Sequence, residues 1–289
     1  MHQSAYQQAA ALVARAEAFI ITAGAGMGVD SGLPDFRGVQ GFWKAYPAYA
    51  RLGLSFESCA TPMHFAANPH FAWGFYGHRT NLYRQTIPHQ GFQIIRNWAD
   101  QNRADCCVVT SNVDGQFQKA GYAEEQVYEV HGSIHWLQCR NRCTSNIWRN
   151  EALFTIDETT MQALDPLPLC PACGKVCRPN ILMFDDSSWL QNRTRGQGVA
   201  FDRFLKKHAN NRVVVLELGA GVAIPTIRQM SVTIGRSLKQ ATVIRINPCE
   251  AAIAAPHIPL LSGALSALQE IDRLLHDSTT VQQREAGHQ

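Results

Sequence analysis

The chain has 289 residues, which corresponds to two domains at about 150 residues per domain. Hydrophobic residues make up 46% and charged residues 17%, a composition that excludes an intrinsically disordered chain. The 26 basic and 23 acidic side chains nearly balance, so neither nucleic acid nor a membrane surface is expected as a partner. The nine cysteines are odd in number, no secretory leader precedes them, and no apolar run is long enough to span a membrane. We therefore expect a cytoplasmic protein whose cysteines bind metal rather than form disulfides.

Apolar strands and helices alternate along the chain. Residues 19–21 run into a glycine cluster, and the apolar runs 106–110 and 213–218 each follow an amphipathic, helix-like segment. A further short strand is predicted at 243–246. The C-terminal helix that follows it has an apolar face of Leu261, Leu265, Leu268 and Leu275. This alternation predicts an α/β fold with a doubly wound, parallel, Rossmann-like sheet.

Two segments interrupt the alternation. Residues 45–90 are rich in aromatic and turn-forming residues, and residues 138–178 hold five of the nine cysteines. We predict that they are a helical and a zinc-binding insertion that together form a smaller domain. The sheet domain is then discontinuous, with residues 1–44, 91–137 and 179–277, and the polar residues 278–289 are predicted to be a flexible tail.

The glycine cluster Gly24-Ala25-Gly26 follows the first strand. Glycines at the carboxyl end of a buried strand let backbone N–H groups come close to a pyrophosphate, so the cluster is typical of a dinucleotide site. The full dinucleotide fingerprint needs a third glycine at position 29, where this chain has valine. A glycine-rich turn without a ligand is therefore the alternative.

Polar side chains follow the second strand, at Ser111, Asn112 and Asp114. Ligands bind at this edge of a parallel sheet, although an Asn-Asp-Gly turn or a helix cap needs no ligand. His131 comes soon afterwards, with a glycine beside it. Imidazole has an unperturbed pKa close to neutral pH, as a general base requires, but an isolated histidine is more often simply packed.

Four cysteines form two close pairs, Cys139-x3-Cys143 and Cys170-x2-Cys173. Two such pairs can bring four thiolates to one tetrahedral Zn²⁺, and a site with four protein ligands has no open position for water. The predicted zinc is therefore structural. Cys177 follows Cys173 with the spacing of the first pair, so the spacing leaves open whether Cys177 replaces one of the four.

Several segments resemble motifs of the sirtuin family, in the same order. GAGMGVDSGLPDFRG is similar to the family's GAG, four variable positions and SG(I/L)PDFRG, and TSNVDG resembles TQNID-G. HGS resembles the family's HG(S/T) motif, and CPACG with the following RPN resembles CPxCG-x-x-RP. LGAG and IN are similar to the family's GTS and IN segments. The resemblance covers about residues 4–275, and it favours Cys173 over Cys177 as a zinc ligand.

The resemblance implies that NAD is a co-substrate. It also implies that His131 is the catalytic base, with the catalytic residues Asn112 and Asp114 at the nicotinamide ribose. The implied cofactor-binding residues are Gly24, Ala25, Gly26, Asp35, Phe36, Arg37, Ser111, Asn112, Asp114, Gly219, Ala220, Gly221 and Asn247.

Two differences from the sirtuin motifs and one pair of helix residues indicate which substrate the chain accepts. Ser111 replaces a glutamine of the family, and Asp185 replaces a glycine of the strand that pairs with acyl-lysine peptides in sirtuins. Tyr76 and Arg79 are three residues apart and share a helix face, so a phenol and a guanidinium could bind a carboxylate together. Simple packing is the alternative. Sirtuins that prefer succinyl- or malonyl-lysine have such a YxxR pair, so we predict that this chain accepts acidic acyl groups.

The resemblance implies an enzyme, an NAD-dependent protein-lysine deacylase that acts on acylated-lysine proteins. In that reaction the acyl oxygen attacks C1′ of the nicotinamide ribose as nicotinamide leaves, and His131 accepts a proton from the ribose hydroxyls. The products are free lysine and O-acyl-ADP-ribose. Three alternatives stay open: an ADP-ribosyltransferase or NAD glycohydrolase on the same fold, a catalytically idle NAD-binding module, and a Rossmann dehydrogenase with an unrelated zinc module.

Overall fold

The computed structural model describes residues 2–34, 50 and 53–286. In chain order the strands of these residues are β1 (Ala18–Ala23), β2 (Asp105–Thr110), β3 (Val127–Glu129), β4 (Gly132–Gln138), β5 (Ile147–Arg149), β6 (Ile156–Asp157), β7 (Gln162–Ala163), β8 (Arg178–Ile181), β9 (Arg212–Leu218), β10 (Gln240–Ile246) and β11 (Ile258–Leu260). The α-helices are α1 (His2–Val13), α2 (Phe56–Cys59), α3 (His64–Ala67), α4 (Pro69–Gln85), α5 (Gln90–Asn102), α6 (Gln116–Lys119), α7 (Asn192–Lys207), α8 (Thr226–Ser237) and α9 (Ala264–Ala286).

Six parallel strands form the central sheet, in the order β11-β10-β9-β1-β2-β3. β1 lies between β2 and β9, and all six of its residues are buried. A strand that is covered on both faces has no polar side, which is why its sequence is a continuous apolar run. From β1 the chain builds the sheet outward through β2 and β3, and later outward on the other side through β9, β10 and β11. The prediction of a doubly wound α/β sheet is confirmed.

Helices cover both faces of this sheet. On one face α1, α5 and α9 pack through residues such as Val13, Ile95 and Leu268. On the other face α7 and α8 pack through Phe201 and Ile234. The hydrophobic burial on both faces is the main force that holds the sheet domain together.

The C-terminal helix differs from the prediction at its start. Leu261 follows β11 and is exposed, so it is not part of the apolar face of α9. Residues 278–286 continue the helix, and the flexibility predicted for this segment stays a prediction. Arg273 pairs with Glu270 and Asp277 one turn away on either side, and adding a residue to an existing helix costs little compared with starting one. No helix within the described residues has both the length and the apolar character that a bilayer span requires.

A second core lies beside the sheet domain. β5, β4 and β8 form an antiparallel sheet, and β6 and β7 pair as a short hairpin. These strands pack with α2, α3 and α4 around Trp73, whose ring stacks on Phe154 at a centroid distance of 4.7 Å. Residues from both predicted insertions thus contribute to one smaller core, while the domain boundaries stay a prediction.

Candidate active site

The carboxyl ends of β1, β2 and β9 meet at one edge of the central sheet. Ala23, the last residue of β1, is level with Thr110 of β2 on one side and with Leu218 of β9 on the other. The glycine cluster, the polar segment after β2 and the loop after β9 therefore leave the sheet at the same place. Ligands bind at this edge in open α/β sheets.

The glycine turn packs backbone against backbone on the loop after β9. The chain continues from Gly24 into a 3₁₀ helix, Ala25–Ser31, and the N–H of Gly26 donates to the carbonyl of Gly219 at 3.1 Å. A Cβ at Gly24 would lie 2.8 Å from the carbonyl oxygen of Gly219, and one at Gly219 would lie 2.4 Å from Gly26. Both positions need glycine because the two loops touch, and Ala25 is exposed beside them. Three residues predicted to continue this site lie outside the described residues: Asp35, Phe36 and Arg37.

Asn112 connects the polar segment to the glycine turn. Its Nδ2 donates to the carbonyl oxygen of Gly24 at 3.0 Å, and its backbone N–H donates to Oγ1 of Thr110 at 3.0 Å. The N–H of the neighbouring Ser111 donates to the carbonyl of Ala23 at 3.2 Å. The structure therefore joins two of the segments that the sequence predicts to bind NAD.

Asn247 lies on the other side of the loop after β9. Its side chain is buried, and its Nδ2 donates to the carbonyl oxygen of Ala220 at 2.9 Å. The same oxygen accepts a hydrogen bond from Nη2 of Arg228 at 2.8 Å, and Arg228 also donates to the backbone of Glu250. A Cβ at Gly221 would contact nothing within 4 Å, so packing alone does not require glycine there.

Asp114 is buried with its carboxylate at the start of α6. Its Oδ1 accepts a hydrogen bond from the N–H of Gln116 at 2.9 Å, and only 9% of the residue is exposed. Burial raises the pKa of Asp114 to about 6, and the nearby Glu129 carboxylate adds to the rise. The ring of His135, which sequence reasoning assigned no role, lies 2.9 Å from the backbone oxygen of Asp114 and holds this turn.

His131 lies between β3 and β4, next to the polar segment. The N–H of Val130 donates to the carbonyl of Thr110 at 2.9 Å, and the N–H of Ile134 donates to the carbonyl of Val113 at 3.0 Å. The histidine is thus framed by two hydrogen bonds to the chain that carries Asn112. Burial lowers the pKa of His131, so at neutral pH its imidazole is neutral and able to accept a proton.

The segment after β8 runs past His131. The N–H of Leu182 donates to the carbonyl of His131 at 2.9 Å, and the N–H of Phe184 donates to the carbonyl of Ala60 at 3.0 Å. Asp185 is exposed and has a φ of +53°, a left-handed conformation that favours glycine. The glycine at this place in the family pattern fits that backbone, and aspartate keeps it at some cost in strain.

Sequence reasoning missed the ion pair that holds this segment. The side chains of Arg178 and Asp186 are completely buried, and Nη1 of Arg178 donates to Oδ1 of Asp186 at 2.9 Å. The N–H of Ser188 donates to the same carboxylate oxygen, also at 2.9 Å. The sequence signal that could have indicated the pair is a basic and an acidic residue on either side of the apolar residues 181–184.

Tyr76 and Arg79 are both buried in α4, together with a tyrosine that sequence reasoning missed. Nε and Nη2 of Arg79 donate to the hydroxyl of Tyr83 at 3.0 and 2.8 Å, and the guanidinium carbon lies 5.7 Å from the ring centroid of Tyr76. Burial raises the pKa of Tyr76 to about 12, so its phenol keeps its proton. Tyr83 follows Arg79 by four residues and Tyr76 by seven, a spacing that places all three side chains on one face of the helix.

The four predicted zinc ligands converge. The Sγ atoms of Cys139, Cys143, Cys170 and Cys173 all lie within 4.8 Å of one another, with distances of 3.8 Å for Cys139–Cys173 and 3.6 Å for Cys143–Cys170. Tetrahedral Zn²⁺ with Zn–S bonds of about 2.3 Å needs sulfurs about 3.8 Å apart, so the cluster fits a structural zinc. Cys177 is outside the cluster, because its Sγ lies 3.2 Å from the carbonyl oxygen of Pro168.

A parallel sheet with a glycine turn at its carboxyl edge, joined to a four-cysteine module, defines a Rossmann-like protein with a structural zinc site. The model of the Sir2 family matches residues 24–197, more than half of the chain, and the chain belongs to this family. A Sir2 homologue solved as an NAD complex has the same fold, with a TM-score of 0.67 and 23% identity over 94% of each chain.

Curated relatives share part of their length with this chain. An "NAD-dependent protein deacylase" of Thermococcus kodakarensis is 33% identical over 178 residues, which are 62% of this chain and 63% of that protein. A "Probable bifunctional ADP-ribose hydrolase/ADP-ribosyltransferase" of Fusarium oxysporum f. sp. cubense is 28% identical over 225 residues, which are 73% of this chain and 37% of that protein. The chain spans about three fifths of the length of the first deacylases it matches.

Proposed function

We propose that this chain is an NAD-dependent protein-lysine deacylase. It transfers the acyl group of an acylated lysine to the ADP-ribosyl part of NAD and, with one water consumed, releases nicotinamide, free lysine and O-acyl-ADP-ribose. The observation that carries the proposal is the hydrogen-bonded junction of the glycine turn, the Asn112 segment and the His131 segment at one sheet edge. Membership of the Sir2 family and the names of the curated relatives support the same reaction.

The cofactor-binding part of the proposal rests on the three loops at that edge. NAD, when bound, supplies the ADP-ribosyl group that accepts the acyl group. Ala25 is exposed at the start of the 3₁₀ helix and would offer its N–H to a pyrophosphate, while the N–H groups of Gly26 and Met27 hold the turn in place. Asn112 and Asp114 lie on the neighbouring loop and would accept or donate hydrogen bonds to the nicotinamide ribose. Above pH about 6 the Asp114 carboxylate is ionised, which makes it the stronger acceptor.

His131 is the proposed base. Its neutral imidazole at neutral pH can accept a proton from a ribose hydroxyl, which makes the oxygen a better nucleophile toward the acyl carbon. Asn112 and Asp114 lie on the segment that accepts backbone hydrogen bonds from Val130 and Ile134, on either side of His131. A ribose held by Asn112 and Asp114 would therefore lie next to the imidazole ring of His131.

Acylated-lysine proteins are the proposed substrates, and the segment from Leu182 to Asp185 is the proposed contact for the peptide backbone. The cluster of Tyr76, Arg79 and Tyr83 is the proposed site of an acidic acyl group. A buried guanidinium beside two phenols in an aromatic surrounding attracts a carboxylate strongly, because little water competes with it.

The proposal is tested by incubating the zinc-loaded protein with NAD and lysine peptides that are acetylated, malonylated, succinylated or glutarylated. Mass spectrometry should show loss of the acyl group, and O-acyl-ADP-ribose should form in equal amount. An ADP-ribosyltransferase or NAD glycohydrolase is the second candidate, favoured by Ser111 and by the Fusarium relative. ADP-ribose or an ADP-ribosylated protein formed without any loss of acyl groups would replace the deacylase proposal with that one.

The acyl preference has its own test in Arg79→Met, which keeps the length of the side chain and removes its charge. Removal of succinyl groups should fall about 10- to 100-fold, the value of a charge-assisted hydrogen bond of about 1.5–3 kcal/mol, while removal of acetyl groups should change little. Tyr83→Phe keeps the charge of Arg79 and removes only the hydroxyl that accepts its two hydrogen bonds, so removal of succinyl groups should fall less than in Arg79→Met. Equal effects of Arg79→Met on both acyl groups would contradict the proposed role.

The domain division predicted from the sequence and a cytoplasmic location are also proposals. The proposed location rests on the cysteine pattern, which favours metal binding over disulfides and so a reducing compartment. Limited proteolysis and localisation of the tagged full chain are the direct tests.

A further inference from the structure

His89 ties the glycine turn to the start of α5. Its Nδ1 accepts a hydrogen bond from the N–H of Gly91 at 3.0 Å, and its Nε2 lies 2.9 Å from the carbonyl oxygen of Met27. The backbone N–H of His89 donates to Oγ of Ser31 at 2.9 Å. One residue thus caps a helix and holds the 3₁₀ helix that follows Gly24 at two points.

The two ring contacts fix the state of the imidazole. The partner of Nδ1 is an N–H group, so Nδ1 must offer its lone pair, and the partner of Nε2 is a carbonyl oxygen, so Nε2 must carry the proton. Only the neutral ring with its proton on Nε2 makes both bonds. A doubly protonated ring would direct an N–H at the N–H of Gly91 and would lose the cap.

Gly91 is required by this arrangement. A Cβ at position 91 would lie 2.6 Å from Cε1 and 2.8 Å from Nδ1 of His89, and 2.9 Å from Cδ1 of Leu268, so a side chain there would displace its neighbours. The absence of a side chain at Gly91 therefore makes room for the ring of His89, and the two residues act as a pair.

A continuous chain of hydrogen bonds leads from His89 to the proposed nicotinamide site. The carbonyl of Met27 accepts from the ring, and the N–H of Met27 donates to the carbonyl of Gly24 at 3.0 Å. That same carbonyl oxygen accepts from Nδ2 of Asn112 at 3.0 Å. Moving Met27 would therefore shift the acceptor that orients Asn112, along with the backbone amides that begin the 3₁₀ helix.

We propose that His89 is a positioning residue for NAD, which sets the glycine turn against Asn112 through the carbonyl of Met27. The inference rests on the proposed function, because it takes this turn to be the NAD site. His89 contacts neither the reacting atoms nor the acyl-lysine, so its effect should fall on NAD affinity and not on the chemical step.

The test compares His89→Asn and His89→Ala with the unaltered full chain. Asparagine is a good N-cap and can still accept from Gly91, but its amide stops short of the position of Nε2 and cannot reach Met27. His89→Asn should therefore leave the melting temperature nearly unchanged and weaken NAD binding, measured by isothermal titration, about 5- to 10-fold, the value of one hydrogen bond. His89→Ala should weaken NAD binding at least as much and also lower the melting temperature.

Two further variants distinguish a positioning role of His89 from a general loss of stability. Asn68→Ala removes a comparable cap, at the start of α4, away from the glycine turn, and should lower the melting temperature without weakening NAD binding. Gly91→Ala keeps His89 but displaces its ring, so it should weaken NAD binding as His89→Asn does. Added to His89→Asn, it should cause little further loss, because the two changes break the same link.

The pH dependence gives a readout that a purely structural role would not move. Burial lowers the pKa of His89, and the Met27 carbonyl and the charge of Asp30 on the same 3₁₀ helix oppose this only in part. NAD affinity of the unaltered chain should therefore fall as the pH drops below the usual histidine value. Protonation of Asp114, whose pKa is about 6, weakens NAD binding in both chains, so His89→Asn should show a smaller fall than the unaltered chain, and the difference between the two profiles belongs to His89.

The outcomes distinguish this inference from the proposed function. Unaltered NAD affinity and pH dependence in His89→Asn, with deacylation intact, would overturn the role of His89 alone. Weakened binding in His89→Asn together with no deacylation by the unaltered chain would support His89 and contradict the deacylase proposal. If the unaltered chain does not bind NAD at all, both are overturned.

Discussion

Replacing Asp114 with asparagine should stabilise the protein while it impairs the reaction. In the folded chain burial raises the pKa of Asp114 from 3.8 to about 6. At about 1.4 kcal/mol for each pKa unit, keeping this carboxylate ionised in the folded state costs about 3 kcal/mol at pH 8. Asparagine keeps an oxygen for the N–H of Gln116 and carries no charge, so Asp114→Asn should raise the free energy of unfolding by up to about 3 kcal/mol. Turnover with NAD should fall about 10- to 100-fold, because the amide is a weaker acceptor for ribose hydroxyls.

The gain in the free energy of unfolding from Asp114→Asn should depend on pH. Between pH 4 and 6 folded Asp114 keeps its proton while the unfolded chain releases it, so the free energy of unfolding of the unaltered chain falls as the pH rises through this window. Denaturant unfolding at pH 4.5 and pH 8 should therefore show a small gain for Asp114→Asn at the lower pH and the full gain at the higher pH. Asp105→Asn is the opposite control, because Asp105 is half-exposed and its bonds to Lys207 lower its pKa, so losing the charge should destabilise the chain. A gain for Asp114→Asn of equal size at both pH values, or none at pH 8, would refute the reasoning.

Three further predictions concern the zinc cluster and the base. Cys173→Ser should lower zinc content measured by atomic emission and weaken zinc retention against a chelator about 100-fold, at about 3 kcal/mol for one of four ligands. Cys177→Ser should keep one zinc per chain, and equal zinc loss in both variants would contradict the ligand assignment. His131→Ala should lower kcat about 100- to 10,000-fold while NAD binding in titration calorimetry is largely kept, and undiminished deacylation would exclude His131 as the base. In the unaltered chain kcat should fall only below pH 6.5, because the pKa of His131 is lowered and that of Asp114 is about 6, and an acid limb above pH 6.5 would contradict this.

Features of the fold that depend on residues close together in sequence could be predicted. Continuous apolar runs indicate strands buried on both faces, and this is how β1, β2 and β9 are recognisable from their residues alone. Cysteine spacing likewise indicates a zinc site, because two short knuckles can each supply two thiolates. The end of α9 could not be predicted in the same way, since the polar residues after 277 have a tail-like composition but continue an existing helix.

Some contacts in the candidate site could not be predicted from the sequence. The spacing alone leaves Cys173 and Cys177 equivalent, and only the path of the backbone directs the Cys177 sulfur to the carbonyl of Pro168 instead of to the other thiols. Arg178 and Asp186 show that a buried charge is satisfied by whichever partner the packing brings near, here across a turn.

The sequence by itself determined the sheet, the order of its motifs and the residue types available for nucleotide and metal. Tertiary structure decided which of those residues touch, how deeply Asp114 is buried and that His89 reaches Met27 from 62 residues away. The physical reason is range: periodicity and spacing describe contacts within a few residues, whereas pKa values and loop positions depend on neighbours that only the folded chain brings together.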